Sequence, residues 1–78
     1  MRVHLWGELG FYGPERRGRF EVRLEREMPL TEALGLIGVP KAEIAITALN
    51  AEVVRLDDRN VIVTDADRLD LFPPTSGG

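Results

Sequence analysis

Few side chains in this sequence are equipped for chemistry. Cysteine is absent from the 78 residues, which removes thiol nucleophiles, disulfides, zinc ribbons and iron–sulfur clusters at once. His4 is the one imidazole, and imidazole is the side chain whose unperturbed pKa lies nearest neutrality. Its place in an alternating segment makes it a solvent-facing strand residue rather than a general base, and a single histidine cannot build a His-rich metal site. Asp65 and Asp67 can be read as a metal pair. An aspartate in such a short polar step more often bonds its own backbone, so both are expected to be turn formers, and no metal site is assigned. Arg16, Arg17 and Arg19 offer guanidinium groups to a phosphate or an acidic partner, but their Gly- and Pro-rich surroundings read as a solvated loop. What remains is the backbone itself. The sequence closes on Pro73-Pro74-Thr75-Ser76-Gly77-Gly78, and its last group is a carboxylate with a pKa of roughly 3.3–3.7, ionised near neutral pH.

A reactive end needs elements that hold it out. Arg68–Phe72 reads as a strand with Leu69 and Leu71 facing inward. Neither following proline can donate to a sheet ladder, and each pushes the residue before it into extended geometry. Six residues at about 3.3–3.6 Å each reach on the order of 20 Å, and two glycines leave nothing to block a narrow channel. Upstream, Arg2–Leu9 alternates, with Val3, Leu5 and Leu9 on one side. Gly10, Gly13, Pro14 and Gly18 punctuate a loop. Arg19–Glu25 alternates again through Phe20, Val22 and Leu24, so the two segments read as an antiparallel hairpin. Leu30, Ala33, Leu34 and Ile37 carry the i, i+3, i+4, i+7 stripe of a short helix, with Thr31 as its N-cap, Glu32 at the positive dipole end and Gly38 as the stop. The run from Glu43 to Leu49 is apolar on both faces, as in a well-covered strand. Asn50 is a turn residue, Ala51–Arg55 a short return strand, Asp57–Asn60 a polar loop and Val61–Val63 a brief apolar step. The order is α+β: a mixed sheet of four to five strands packed on one short helix, a domain over 1–72 with an extended tail over 73–78.

Composition narrows the function classes further. Ten Lys+Arg stand against thirteen Asp+Glu, for a net charge of −3, which speaks against nucleic-acid binding through phosphate contacts. No run of about 20 apolar residues exists to cross a membrane, and the start has no signal-peptide pattern. A cytoplasmic location is expected. A single domain of this size has little interior left for a deep substrate pocket.

With this element order, no cysteine, and the ending Asp-Arg-Leu-Asp-Leu-Phe-Pro-Pro-Thr-Ser-Gly-Gly, the chain resembles the ubiquitin-like sulfur carriers of the MoaD/ThiS family. The Phe72-Pro73-Pro74 step is closer to the MoaD branch, the small subunit of molybdopterin synthase. Thr75-Ser76 stands where that branch usually has a small apolar pair. The resemblance implies a β-grasp fold with the first and last strands adjacent. It implies that the carrier is not an enzyme and binds no cofactor. Its Gly78 carboxylate would be joined to AMP by an activating adenylyltransferase of the ubiquitin-activating type (MoeB- or ThiF-like), which uses ATP and magnesium. Sulfur would then displace AMP and leave a thiocarboxylate. Thr75, Ser76, Gly77 and Gly78 would insert into the partner, a molybdopterin synthase large subunit (MoaE-like) or another sulfur-accepting enzyme. With the two strands neighbours, Trp6 and Phe72 share the outer face beside the tail and, with Pro73, are expected to form the docking patch. Carriers for thiamine or for tRNA thiolation, a protein modifier conjugated through Gly78, and a non-sulfur β-grasp adaptor are the alternatives.

Overall fold

The computed structural model describes residues 1–74 of the chain. Among them the elements run β1 (Arg2–Leu5), β2 (Arg19–Glu21), β3 (Met28–Pro29), α1 (Leu30–Ile37), β4 (Ile46–Leu49), β5 (Glu52–Val54), β6 (Ile62–Val63) and β7 (Arg68–Phe72). Five strands form one mixed sheet in the order β2-β1-β7-β4-β5, and β3 pairs with β6 apart from it. β1 and β7 lie parallel, Leu5 beside Leu71, while the other pairs are antiparallel. A parallel pair needs a long crossover, and here the crossover is nearly the whole chain. The fold is the expected α+β β-grasp.

The core sits between this sheet and α1. Val3 and Leu5 of β1, Leu69 and Leu71 of β7, and Leu30, Ala33, Leu34 and Ile37 of α1 belong to one cluster. Thr47 and Leu49 lie opposite Leu71 and Leu69 on the same side. Gly38, at φ 85°, closes the helix and donates its N–H to the Leu34 carbonyl.

The strands are shorter than alternation alone predicts. β1 ends at Leu5, not Leu9, because Gly7 (φ 55°) turns the chain away and Gly7–Tyr12 winds into a 3-10 helix. Leu9 still reaches the core, from that helix. β2 ends at Glu21, not Glu25. Beyond it the Leu24 N–H goes to the Asp65 carboxylate instead of a neighbouring strand. Thr31 is not the N-cap: Pro29 holds that position with no side-chain cap bond, and the Leu30 N–H is satisfied by the Val61 carbonyl. The stretch before β4 forms a 3-10 turn over Lys41–Glu43, and Ile46 is 48% exposed. The run is therefore not covered on both faces, because the single helix shields only one side of the sheet.

One glycine and one alanine sit in exchanged roles. The β4–β5 hairpin turns through Asn50 and Ala51 at φ 51° and 69°, and two consecutive left-handed residues are the mark of a type I′ turn. Asn tolerates this geometry; Ala is strained there by roughly 1–2 kcal/mol. Gly35 lies inside α1, where an added Cβ would meet nothing within 4 Å, and glycine in a helix costs roughly 0.5–1 kcal/mol against alanine. Ala51→Gly and Gly35→Ala should each raise stability by about 1 kcal/mol, additively, since the two sites share no partner. Thermal melts of the single and double variants test this. A lowered midpoint for Ala51→Gly would contradict the turn assignment.

Candidate functional site: the open sheet face and the β7 exit

Alternation that buries Val3, Leu5, Leu69 and Leu71 must turn their neighbours outward. On the face away from α1 lie Arg2 and His4 of β1, Arg68, Asp70 and Phe72 of β7, and Ile46 and Ala48 of β4. One row crosses the sheet in register: Arg19, His4, Asp70, Ala48 and Val53. The next position along carries aromatics. The Trp6 backbone N–H donates to the Leu71 carbonyl at 2.9 Å, so the parallel ladder continues past β1. The Trp6 ring stacks with His4 at 3.9 Å and with Phe72 at 5.3 Å, centroid to centroid.

Beneath this stack is a carboxylate on the outer face of β7. Asp70 is only 5% exposed. Its Oδ1 accepts the Trp6 Nε1–H at 2.9 Å, its Oδ2 accepts the Arg68 Nε–H at 3.1 Å, and His4 Nδ1 lies 3.6 Å from Oδ1. An indole N–H that is partly covered normally finds an acceptor, so the Trp6 position was the signal that could have exposed Asp70. His4 also departs from expectation. Its side chain is 16% exposed, covered by the neighbouring ring rather than facing solvent.

Burial holds the His4 imidazole below its ordinary pKa. The Arg19 charge acts in the same direction, Asp70 opposes it, and Arg68 adds to the lowering. Unfolded, this imidazole titrates near 6.5 and takes up its proton before the folded form does. Its contribution to stability is thus complete above about pH 6.5 and is lost as pH falls from there through the lower folded value. Urea midpoints should drop on moving from pH 7.5 towards pH 5, and His4→Gln should flatten that step. A slope unchanged by His4→Gln would assign it to other groups. The carboxylates act further down. Hydrogen bonds from Leu24 and the N-terminus hold Asp65 below its usual value, and Asn50 and Thr64 hold Asp67 below its own. Their contributions are present above about pH 3.9 and disappear below it.

Trp6, Phe72 and Pro73 are brought together as the sequence predicts. Trp6 is 38% exposed, and Phe72 and Pro73 are half-buried, so the Gly10–Gly18 loop does not cover the pair. Ile46, opposite Phe72, extends the apolar surface, as does Val53, 76% exposed; neither was singled out from sequence. Thr75, Ser76, Gly77 and Gly78 lie outside the described residues. Asp65 and Asp67 do form the turn, and do more. Asp65 accepts the Met1 ammonium at 3.1 Å, and Asp67 accepts the Thr64 N–H at 2.7 Å and the Asn50 amide at 2.9 Å. In the loop, Arg17 pairs with exposed Glu15 and Arg16 lies 4.8 Å over the Phe11 ring. Among the described residues no helix is long and apolar enough to cross a membrane.

Among the described residues no nucleophile–base pair is aimed at a common point. The arrangement is a rigid platform: an aromatic and aliphatic surface next to the point where the chain leaves β7. A β-grasp domain built this way belongs to the ubiquitin-like class. Within that class the assignment is specific, because the ThiS family profile matches residues 10–78. The chain belongs to the ThiS family, whose members are small sulfur carriers rather than catalysts. No curated protein matches the chain. Among solved structures, the solution NMR structure of a thiamine biosynthesis protein from Geobacter metallireducens superposes with a TM-score of 0.56 at 23% identity, covering 100% of this chain and 88% of that one. At that identity the likeness speaks for the fold.

Proposed function

We propose that the protein carries sulfur on the carboxylate of Gly78. The observation that supports this most directly is that the ThiS family match runs through Gly77-Gly78. A carboxylate is a poor acyl donor because its charge repels nucleophiles. An activating adenylyltransferase removes that obstacle: the carboxylate oxygen attacks the α-phosphate of magnesium-bound ATP, pyrophosphate leaves, and an acyl adenylate forms. Hydrosulfide then adds to the carbonyl carbon, AMP departs with the former carboxylate oxygen, and one proton is released. The product is a thiocarboxylate and AMP. Nothing in these steps asks for a catalytic side chain on the carrier.

Trp6, Phe72 and Pro73 would dock the partner, and Thr75 to Gly78 would enter its channel. For the acceptor, the Phe72-Pro73-Pro74 step favours the dithiolene of a molybdenum or tungsten pterin cofactor, made by a synthase whose large subunit receives the tail. A second reading, delivery to thiamine, is favoured by the structural likeness to a protein named for thiamine biosynthesis. The cytoplasm, where ATP and both classes of acceptor are found, is the proposed location.

The test is an intact mass after incubation with the activating enzyme, magnesium ATP and sulfide. Exchange of one oxygen for sulfur, abolished by deleting Gly78, is the expected result. An unchanged mass would leave a β-grasp adaptor, and larger species linked through Gly78 would mark a protein modifier. Offering the loaded carrier to a molybdopterin synthase large subunit with a sulfur-free pterin, or to the thiazole-forming enzyme of thiamine synthesis, separates the two acceptors.

A further inference from the structure

We propose that Gly7 is a positioning residue that sets the direction in which the chain leaves β7. This role rests on a closing series of pairs between the two parallel strands. Leu5 lies beside Leu71, Trp6 stacks on Phe72, and Gly7 lies against Pro73. A Cβ built on Gly7 would stand 3.3 Å from Pro73 Cγ and 3.9 Å from Pro73 Cδ. The first distance is already tight for a carbon contact. Gly7 also holds φ 55°, a conformation that residues with a side chain rarely adopt. The positive φ turns β1 into the 3-10 helix. The missing side chain is different in kind: it clears a seat for the proline ring.

Pro73 is an effective lever because its own φ is fixed near −65° and the following Pro74 restricts its ψ to extended values. With the ring seated, little torsional freedom remains between Phe72 and Pro74, so the seat fixes the exit vector. A bulkier residue at position 7 would push the ring away and swing the exit while the aromatic platform stays in place. A carboxylate displaced by about 1 Å from its attack geometry can lose on the order of 100-fold in rate. The inference rests on the sulfur-carrier reading, since it assumes that the exit vector matters to an activating enzyme.

The first experiment does not depend on that reading. In the free protein, an NOE between the Gly7 Hα protons and the Pro73 Hγ protons is expected; its absence would overturn the seat. The second uses the activating adenylyltransferase with magnesium ATP and measures KM and kcat for the carrier. Gly7→Ala should lower kcat at least tenfold while KM rises by less, because Trp6 and Phe72, the aromatic part of the docking surface, keep their places and only the Pro73 ring shifts. Pro73→Gly removes the ring without straining position 7, which keeps the test usable if Gly7→Ala melts early. It should also lower kcat, and the double variant should lose no more than Pro73→Gly alone. Wild-type turnover by Gly7→Ala, or losses that simply multiply in the double variant, would overturn the proposal. A wild-type carrier that is never adenylated would instead refute the sulfur-carrier reading and leave the NOE result standing.

Discussion

Leu69→Ala should cost the fold about 3–5 kcal/mol, the range for a leucine removed from a tightly packed core. Leu69 is fully buried. It stands on the central strand, flanked by Val3 across the parallel pair and Leu49 across the antiparallel one, so no edge is free to collapse into the cavity. Stabilities of roughly 0.05–0.15 kcal/mol per residue give a chain of this size only about 4–12 kcal/mol in total. The variant therefore keeps at most about 9 kcal/mol, and at the low end of the range it falls below its folding threshold. Urea titration monitored by Trp6 fluorescence reads the loss, because Trp6 hangs from the adjacent strand and binds Asp70. A loss under about 1 kcal/mol would mean that the site relaxes far more than this packing allows.

Trp6→Ala should weaken association with the activating adenylyltransferase at least tenfold, about 1.4 kcal/mol. Trp6 is the largest exposed apolar side chain on the open face, and a tryptophan held by its neighbours loses little entropy when it is buried by a partner. The two stacks and the bond to Asp70 hold it in that way. Alanine is the informative substitution. Aspartate at position 6 would set a second carboxylate against Asp70 and destabilise the platform, confusing docking with folding. Phe11→Ala is the control. Phe11 is more exposed than Trp6 but lies on the 3-10 segment beside Arg16, off the sheet face, and its loss should leave affinity unchanged. Calorimetric titration of the two variants decides it; equal affinities would remove the docking role.

Much of this architecture is legible from residue order. Leu69 and Leu71 alternate with charged neighbours, and α1 repeats its apolar residues at helical spacing, so both announce their inward faces. The Trp6–Phe72 pairing follows once the first and last strands are placed side by side. The strand ends are less legible because they depend on partners distant in sequence. Leu24 alternates as a strand residue should, yet its N–H is taken by Asp65, forty-one positions away. Thr31 has the right chemistry for a cap, but Val61 satisfies the helix start instead. The burial of Asp70 was illegible for a related reason. Alternation assigns it to the outer face correctly, but not that Trp6 folds over that face and turns it into an interior. Gly7 gave a turn signal only, since its contact with Pro73 appears once β1 and β7 are known to be parallel neighbours.

The parallel pairing also orders events in time. β7 is hydrogen-bonded to the first strand on one side and to β4 on the other, and the segment after Phe72 is emitted from that strand. A nascent chain lacking β7 leaves β1 and β4 without their shared neighbour, so the sheet cannot close early during synthesis. Contacts of such long sequence separation favour late, concerted assembly. The geometry that aims the tail therefore arises only when the last strand docks, and an activating enzyme that reads the sheet and the tail together inspects finished molecules.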